Sequence, residues 1–362
     1  MSTPHSTRRE FLQGKAAADA LADVGRSGAS PSELPEPRGD AYLVKVARRA
    51  MACQFEVFLN AGQYAFDTQT ALAALDLVDR LEDQLSVYRE HSEISRLNRR
   101  ADDEAMAVEP RLFALLEKAL QIHAETAGAY DITAGPLSRV WGFMHRAGAI
   151  PTPEALAAAR QCVGSQWVRL DPDAVTARFM KEGIEINLGS IGKGYALDRC
   201  AEVLEAAGIH DFLLHGGNSS VLARGTHGGL ASEQGWRVGV RNPLRPDRRF
   251  GELLLHDRAL ATSGSGTQFF MHDGRRYGHI LDPRSGWPAD GVLTTSVLAP
   301  TAAEADALST AFYVMGPSVT QQYCQHHEYV SAVMLCPGKR AGSIEKYVFG
   351  LTERDWIELD EL

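Results

Sequence analysis

Apolar and polar residues alternate through "CQFEVFL" (53–59), just after the mixed run "YLVKVARRA", which predicts two short strands around a turn or bulge near Met51. The period then changes. In "FDTQTALAALDLVDRLEDQLS" (66–86) the apolar residues recur at helical spacing, with Asp67 placed to cap the helix. "PRLFALLEKALQIHAETAG" (110–128) repeats that spacing and stops at Gly128, and "TPEALAAARQCVG" (152–164) predicts a third helix between Thr152 and Gly164. A strand is expected at "GIEINLG" (183–189), followed by a glycine-rich turn and a helix at "YALDRCAEVLEAAG" (195–208). Further strands are expected at 211–217, 236–242, 251–264, 275–282, 292–300 and 329–337, with one more helix at 301–316. The elements intermingle without a regular βαβ alternation, which favours an α+β fold over a doubly wound sheet.

Composition adds limits. A chain of 362 residues that is 44% hydrophobic can bury a substantial core. "GRSGASPSELPEPRGD" (25–40) has linker composition, so residues 1–40 read as a disordered arm and 41–362 as the folded domain. Within the arm, "STRREFLQG" (6–14) resembles a twin-arginine export signal, but Lys15, Asp19 and Asp23 interrupt the apolar region that should follow. A cytoplasmic location is the expectation on that ground, with export to the periplasm as the alternative. The net charge of −9 argues against the basic face of a nucleic-acid binder, and no apolar run is long enough to span a membrane. Cys53, Cys162, Cys200, Cys324 and Cys336 are scattered, with no C-x-x-C pair, which reads as reduced thiols rather than a zinc site or disulfide framework.

Several segments carry candidate chemistry. "NLGSIGKGYA" (187–196) leads from a strand through glycines and Lys193 into a helix. The Walker pattern fails twice: Asn187 stands at its first glycine and Gly194 at its Ser/Thr. Such a turn still offers backbone N–H groups and a helix dipole to an anion such as a pyrophosphate. A plain strand-to-helix turn with a surface lysine is the other reading. Asp306 and Thr310 are i and i+4, so they share one helical face and could share a hard cation such as Mg²⁺, with backbone carbonyls completing the shell. Alternatively, the threonine bonds back to its own helix. "LATSGSGTQFF" (260–270) runs from a strand into small residues that allow close approach to a ligand, or simply form a loop. In "RRYGHILDPRSG" (275–286), His279 precedes the Asp282-Pro283 turn; a neutral histidine there could take a proton from a hydroxyl, or merely pack.

The order of these segments is more specific than any one of them. "MACQFEV", "LSVYREHSEISRLN", "AYDITAGPLSRVWGF", "INLGSIGKGYALD", "LLHGGNSSVLARG", "LATSGSGTQFF", "GHILDPRSGWP" and "TAAEADALSTAFYVMG" together resemble the ApbE family of FAD:protein FMN transferases, from about Met51 to Gly316. The resemblance implies an α+β, T-fold-related domain with mixed and antiparallel sheets flanked by helices. It implies FAD as substrate, Mg²⁺, and an acceptor flavoprotein whose threonine receives FMN through a phosphoester while AMP leaves. Carried over by position, Met51, Tyr88, Ala129, Tyr130, Asp131, Asn187, Lys193 and Ile280 would surround FAD. Ser190, through its carbonyl, would hold the metal with Asp306 and Thr310, and His279 would be the base. Asn187 departs from the family's usual aspartate, and Ser265 and Gly266 from an acidic and an aromatic residue. Two alternatives therefore stay open: hydrolysis of FAD to FMN and AMP, and a non-catalytic FAD-binding role.

Overall fold

β1 (Leu43–Ala50) and β2 (Cys53–Asn60) pair antiparallel from Leu43↔Asn60 to Ala50↔Cys53, turning through Met51 and Ala52, both with positive φ. The computed structural model describes residues 42–145, 147–228, 235–266, 268–340 and 342–359, so the linker and the twin-arginine-like segment lie outside the described residues. The chain continues through α1 (Asp67–Leu85), α2 (Glu93–Arg100), β3 (Met106–Ala107), α3 (Pro110–Glu125), α4 (Gly135–Val140) and α5 (Pro153–Gln161). Next come β4 (Val168–Asp171), β5 (Thr176–Phe179), α6 (Gly192–Ala206), β6 (Phe212–Gly216), β7 (Ser220–Arg224), β8 (Trp236–Arg241), β9 (Arg249–Leu255) and β10 (Ala259–Gly264). The last elements are β11 (Phe269–His272), β12 (Arg275–Gly278), β13 (Thr294–Ala299), α7 (Ala302–His326), β14 (Ser331–Pro337), β15 (Ile344–Phe349) and β16 (Trp356–Glu358). The fold is α+β, as the sequence pattern predicts.

Eight strands form the central sheet in the order β1-β2-β6-β7-β10-β13-β14-β15, each pair antiparallel. Its middle strands are apolar at successive positions because both faces are covered. Phe212, Leu214, Leu222, Val297 and Ala332 pack with residues of α1, α3, α6 and α7, whereas Leu213, Val221, Leu298, Val333 and Leu335 pack with β8 and β9. That second layer is the three-stranded sheet β16-β9-β8.

Several expected elements take a different form. The carboxylate of Asp67 engages its neighbour Thr68, and the capping position is Phe66, which makes no side-chain cap. Residues 184–188 join no sheet among the described residues, and turns flank them at Gly183 (φ 82°) and Gly189. Instead the Asn98 side chain supplies both partners of Ile186, accepting from its N–H at 2.8 Å and donating to its carbonyl at 2.9 Å, while Asn187 N–H donates to the Ile132 carbonyl at 2.7 Å. The run 251–264 divides at Asp257 (φ 49°) into β9 and β10, which belong to different sheets. Strand 275–282 ends at Gly278. The helix expected at 301–316 resumes after Gly316 (φ 74°, ψ 174°) and runs to His326, because Pro317 needs no amide partner at the restart. Outside the expected elements lie β3, β7, β11, β15, β16, α2, α4 and the hairpin of β4 and β5, whose four-residue strands alternate but are too short to stand out from a loop.

Candidate active site

The described residues around the N-termini of α6 and α7 enclose a cavity of about 420 Å³. Every predicted site residue except Met51 lines it: Tyr88, Ala129, Tyr130, Asp131, Asn187, Ser190, Lys193, His279, Ile280, Asp306 and Thr310. Met51 sits outside, in the β1–β2 turn, where its N–H donates to Glu82 Oε2 at 3.0 Å.

Two helices meet beside this cavity, and each is capped by the other. Asp306 on α7 accepts the Gly194 N–H of α6 on Oδ2 at 2.7 Å, and the Ser220 hydroxyl on Oδ1 at 2.6 Å. In return Asp198 on α6 accepts the Ala302 and Ala303 N–H groups of α7 at 2.7 and 2.9 Å. First-turn N–H groups have no partner inside their own helix, so these carboxylates satisfy donors that would otherwise be orphaned. The approach is possible only because residue 194 is glycine, since a Cβ there would overlap the backbone of Ala302 and Ala303. Asp198 keeps some exposed surface, yet burial of its carboxyl pushes its pKa up to about 7.

Lys193 Nζ stands 3.8 Å from Asp306 Oδ2. Beside it lies a wall of hydroxyls: Ser263 Oγ is 2.8 Å from Ser309 Oγ and 3.2 Å from Thr310 Oγ1, and Thr262 Oγ1 is 2.8 Å from Ser296 Oγ. The donors proposed for a metal are all oxygens: the Asp306 carboxylate, the Thr310 hydroxyl and the Ser190 carbonyl. All three residues face one cavity. Among the described residues no group of three His, Cys, Asp or Glu side chains has metal-binding geometry, so a cation here would rest on one carboxylate with neutral oxygens. That set fits a hard divalent ion that keeps part of its water shell.

His279 follows β12 directly. Its Nδ1 lies 3.1 Å from the Gln268 carbonyl, which can only accept; Nδ1 therefore carries the proton and Nε2 keeps its lone pair. Gln268 is itself anchored, its Nε2 donating to the Phe143 carbonyl at 2.7 Å. Burial lowers the His279 pKa, with the Gln268 bond opposing and the Lys193 charge reinforcing the shift. The imidazole is consequently neutral at pH 7.

The remaining predicted residues shape the walls. Asp131 lines the cavity, but its carboxylate is fully engaged by the Thr133 N–H and hydroxyl (2.8 and 2.6 Å), the Ser165 hydroxyl and N–H (2.7 and 3.1 Å) and His123. Burial pushes its pKa up, and these bonds outweigh burial and hold it below the ordinary value. Asn187 Oδ1 accepts the Gly189 N–H at 2.9 Å and so fixes the turn. Tyr130 is buried, with its hydroxyl 3.4 Å from Ser190 Oγ. Tyr88 is 69% exposed at the lip, and Ile280 is buried against Val292 and Tyr313. Arg284 is paired with Asp282 within the turn at 2.8 and 3.0 Å. The sequence pattern marks the stretch 260–270 without singling out Ser263 or Gln268, and it misses Asp198 and Ser220. A signal existed for Asp198, because Gly194/Asp198 and Ala302/Asp306 share the same i, i+4 spacing.

Comparison with known proteins adds the following. The ApbE family model matches residues 51–334. The FAD:protein FMN transferase of Vibrio cholerae is 32% identical over 255 residues, covering 69% of this chain and 75% of that protein. That of Klebsiella pneumoniae is 33% identical over 257 residues, covering 69% and 71%. Among solved structures, the ApbE protein of Thermotoga maritima superposes with a TM-score of 0.75 at 28% identity, covering 84% of this chain and 97% of that one. The flavin transferase ApbE of Vibrio cholerae gives 0.74 at 26% identity, covering 86% and 98%.

Proposed function

Because the chain belongs to the ApbE family, we propose that it transfers FMN from FAD to a threonine hydroxyl of an acceptor protein, with Mg²⁺, and releases AMP. The observation that supports this most directly is the pairing, across one cavity, of the His279 imidazole with an all-oxygen donor set beside Lys193 at the start of α6.

In this reading the FAD pyrophosphate lies at the start of α6, where Lys193 and the positive end of the helix dipole oppose its charge. Ser190, Asp306 and Thr310 would hold a divalent cation, which when bound would offset negative charge on the transferring phosphoryl group. Gly194 and Ser220 hold the Asp306 carboxylate in one orientation. His279 Nε2 accepts the proton of the threonine hydroxyl. The threonine oxygen bonds to the FMN-side phosphorus, the bond from that phosphorus to the bridging oxygen breaks, and AMP departs with the bridging oxygen. Asp131 and Asn187 fix the walls rather than react.

The test is one reaction containing the protein, FAD, Mg²⁺ and a threonine-bearing acceptor, read by intact-mass spectrometry and nucleotide chromatography. An FMN-sized gain on the acceptor with matching AMP is expected. AMP and free FMN without a labelled acceptor would replace transfer by hydrolysis. Bound but intact FAD would leave only a binding role.

A further inference from the structure

Asp131 and Pro283 line a second cavity as well as the one that holds the predicted site residues. The second measures about 570 Å³ and lies between the C-terminal ends of α3 and α5 and the turn at Pro283 and Arg284. Its ionisable lining residues are His123, Asp131, Arg160 and Arg284. The one carboxylate is spent on Thr133, Ser165 and His123. What the walls offer a ligand is therefore donors and positive charge, on a chain whose net charge is −9.

The three basic side chains converge. Arg160 Nη2 donates to the Arg284 carbonyl at 2.8 Å, and Arg160 forms no ion pair among the described residues. Arg284 gives Nε and Nη2 to Asp282 and keeps Nη1. His123 Nδ1 lies 2.9 Å from the Tyr130 carbonyl, which can only accept, so that nitrogen carries a proton. Its Nε2 has no hydrogen-bond partner among the described residues. The bond to Asp131 raises the His123 pKa against the effect of burial, which favours a second proton on Nε2. The imidazole and Arg284 approach each other across Gly128, where a Cβ would meet His123 Cε1 at 3.5 Å and Arg284 Cγ at 3.7 Å.

We propose that this second cavity binds a phosphomonoester, with the phosphate against Arg160, Arg284 and His123 and a small organic group beside Ala157 and Val163. A phosphate dianion presents three acceptor oxygens, one for each basic side chain, whereas a carboxylate presents two. The arginine fork suits such oxygens in pairs. The cavity is larger than the first, about 570 against 420 Å³, which leaves room for the organic part of the ester. It takes this ligand while FAD occupies the first.

The test saturates the full chain with FAD in metal-free buffer, so that the first cavity is filled and no turnover occurs. Glycerol 3-phosphate, glycerol and acetate are then titrated in separately by calorimetry at constant ionic strength. Only glycerol 3-phosphate should bind. Arg160→Gln should weaken it about tenfold, the lower end for a hydrogen bond between charged groups, with FAD affinity and the thermal melt unchanged. Arg160→Lys, which keeps the charge without the fork, should fall between the two. No binding of glycerol 3-phosphate, equal binding of acetate, or indifference to Arg160→Gln would overturn the proposal. So would binding confined to the FAD-free protein, which would put the phosphate in the first cavity.

Discussion

Asp198 and Asp306 cap each other's helices: the first closes the start of α7 from α6, and the second closes the start of α6 from α7. The proposed metal carboxylate is thus a structural cap as well, and its position depends on an aspartate that touches neither substrate nor cation. Removing the reciprocal cap should be costly. Asp198→Ala is expected to lower stability by about 2 kcal/mol, since two buried N–H groups lose their acceptor. Urea denaturation measures it.

Asp198 also gives stability a pH signature. Its folded-state value of about 7 lies above the ordinary 3.8, so the folded protein holds this proton more tightly than the unfolded chain. The stabilising contribution is complete below 3.8 and is lost as pH rises to about 7. The stability difference between wild type and Asp198→Asn should therefore drift against the wild type across that window and level off above it. A difference that stays constant with pH would remove this assignment.

Gly194→Ala tests the closeness of the two helices. The added methyl meets backbone rather than a movable side chain, so α6 and α7 must separate. A loss of about 3 kcal/mol is expected, at the upper end for overpacking. Turnover should need more Mg²⁺, because Asp306 loses the amide that aims it. Thermal melts and a metal titration read the two effects separately.

Asp306→Asn should lower turnover roughly a hundredfold or more, the scale of a lost electrostatic contact to the transferring group. The helix pair should survive, because the amide oxygen can still accept from Gly194. Circular dichroism and rate measurements on one preparation suffice.

His279→Gln should slow transfer by roughly 10²- to 10⁴-fold, the usual weight of a positioned base, while FAD stays bound. In the wild type, burial and the Lys193 charge set the histidine below 6.5. Protonation blocks a base, so the acid limb of the rate profile should fall below pH 6.5 and vanish in the variant.

Much of this arrangement is legible in the chain. Long amphipathic runs give α1 nearly to the residue and the start of α3 at Pro110, although α3 ends at Glu125 rather than Gly128, because a buried stripe at helical spacing has few alternatives. The motifs at 129–131, 187–193, 279–280 and 306–310 converge on one cavity from distant positions. What escapes is set by single polar contacts. Ser220 and Gln268 look like ordinary strand and loop residues until Asp306 and His279 stand beside them. Asp131, expected beside FAD, lines the cavity and is also a bolt between two loops, a role no local pattern encodes. The segment at 183–189 has the apolar alternation of a strand, but its partners are the Asn98 side chain and the Ile132 carbonyl rather than a neighbouring strand.

That asparagine ties the approach to the glycine turn to α2. Ile184, Ile186 and Leu188 are buried in the main core, so packing pins the segment although it joins no sheet among the described residues. Both polar backbone groups of Ile186 rest on the Asn98 side chain, at a depth where an unpaired donor or acceptor is costly. One amide on a short helix thus does for this stretch what a whole neighbouring strand does elsewhere in the molecule.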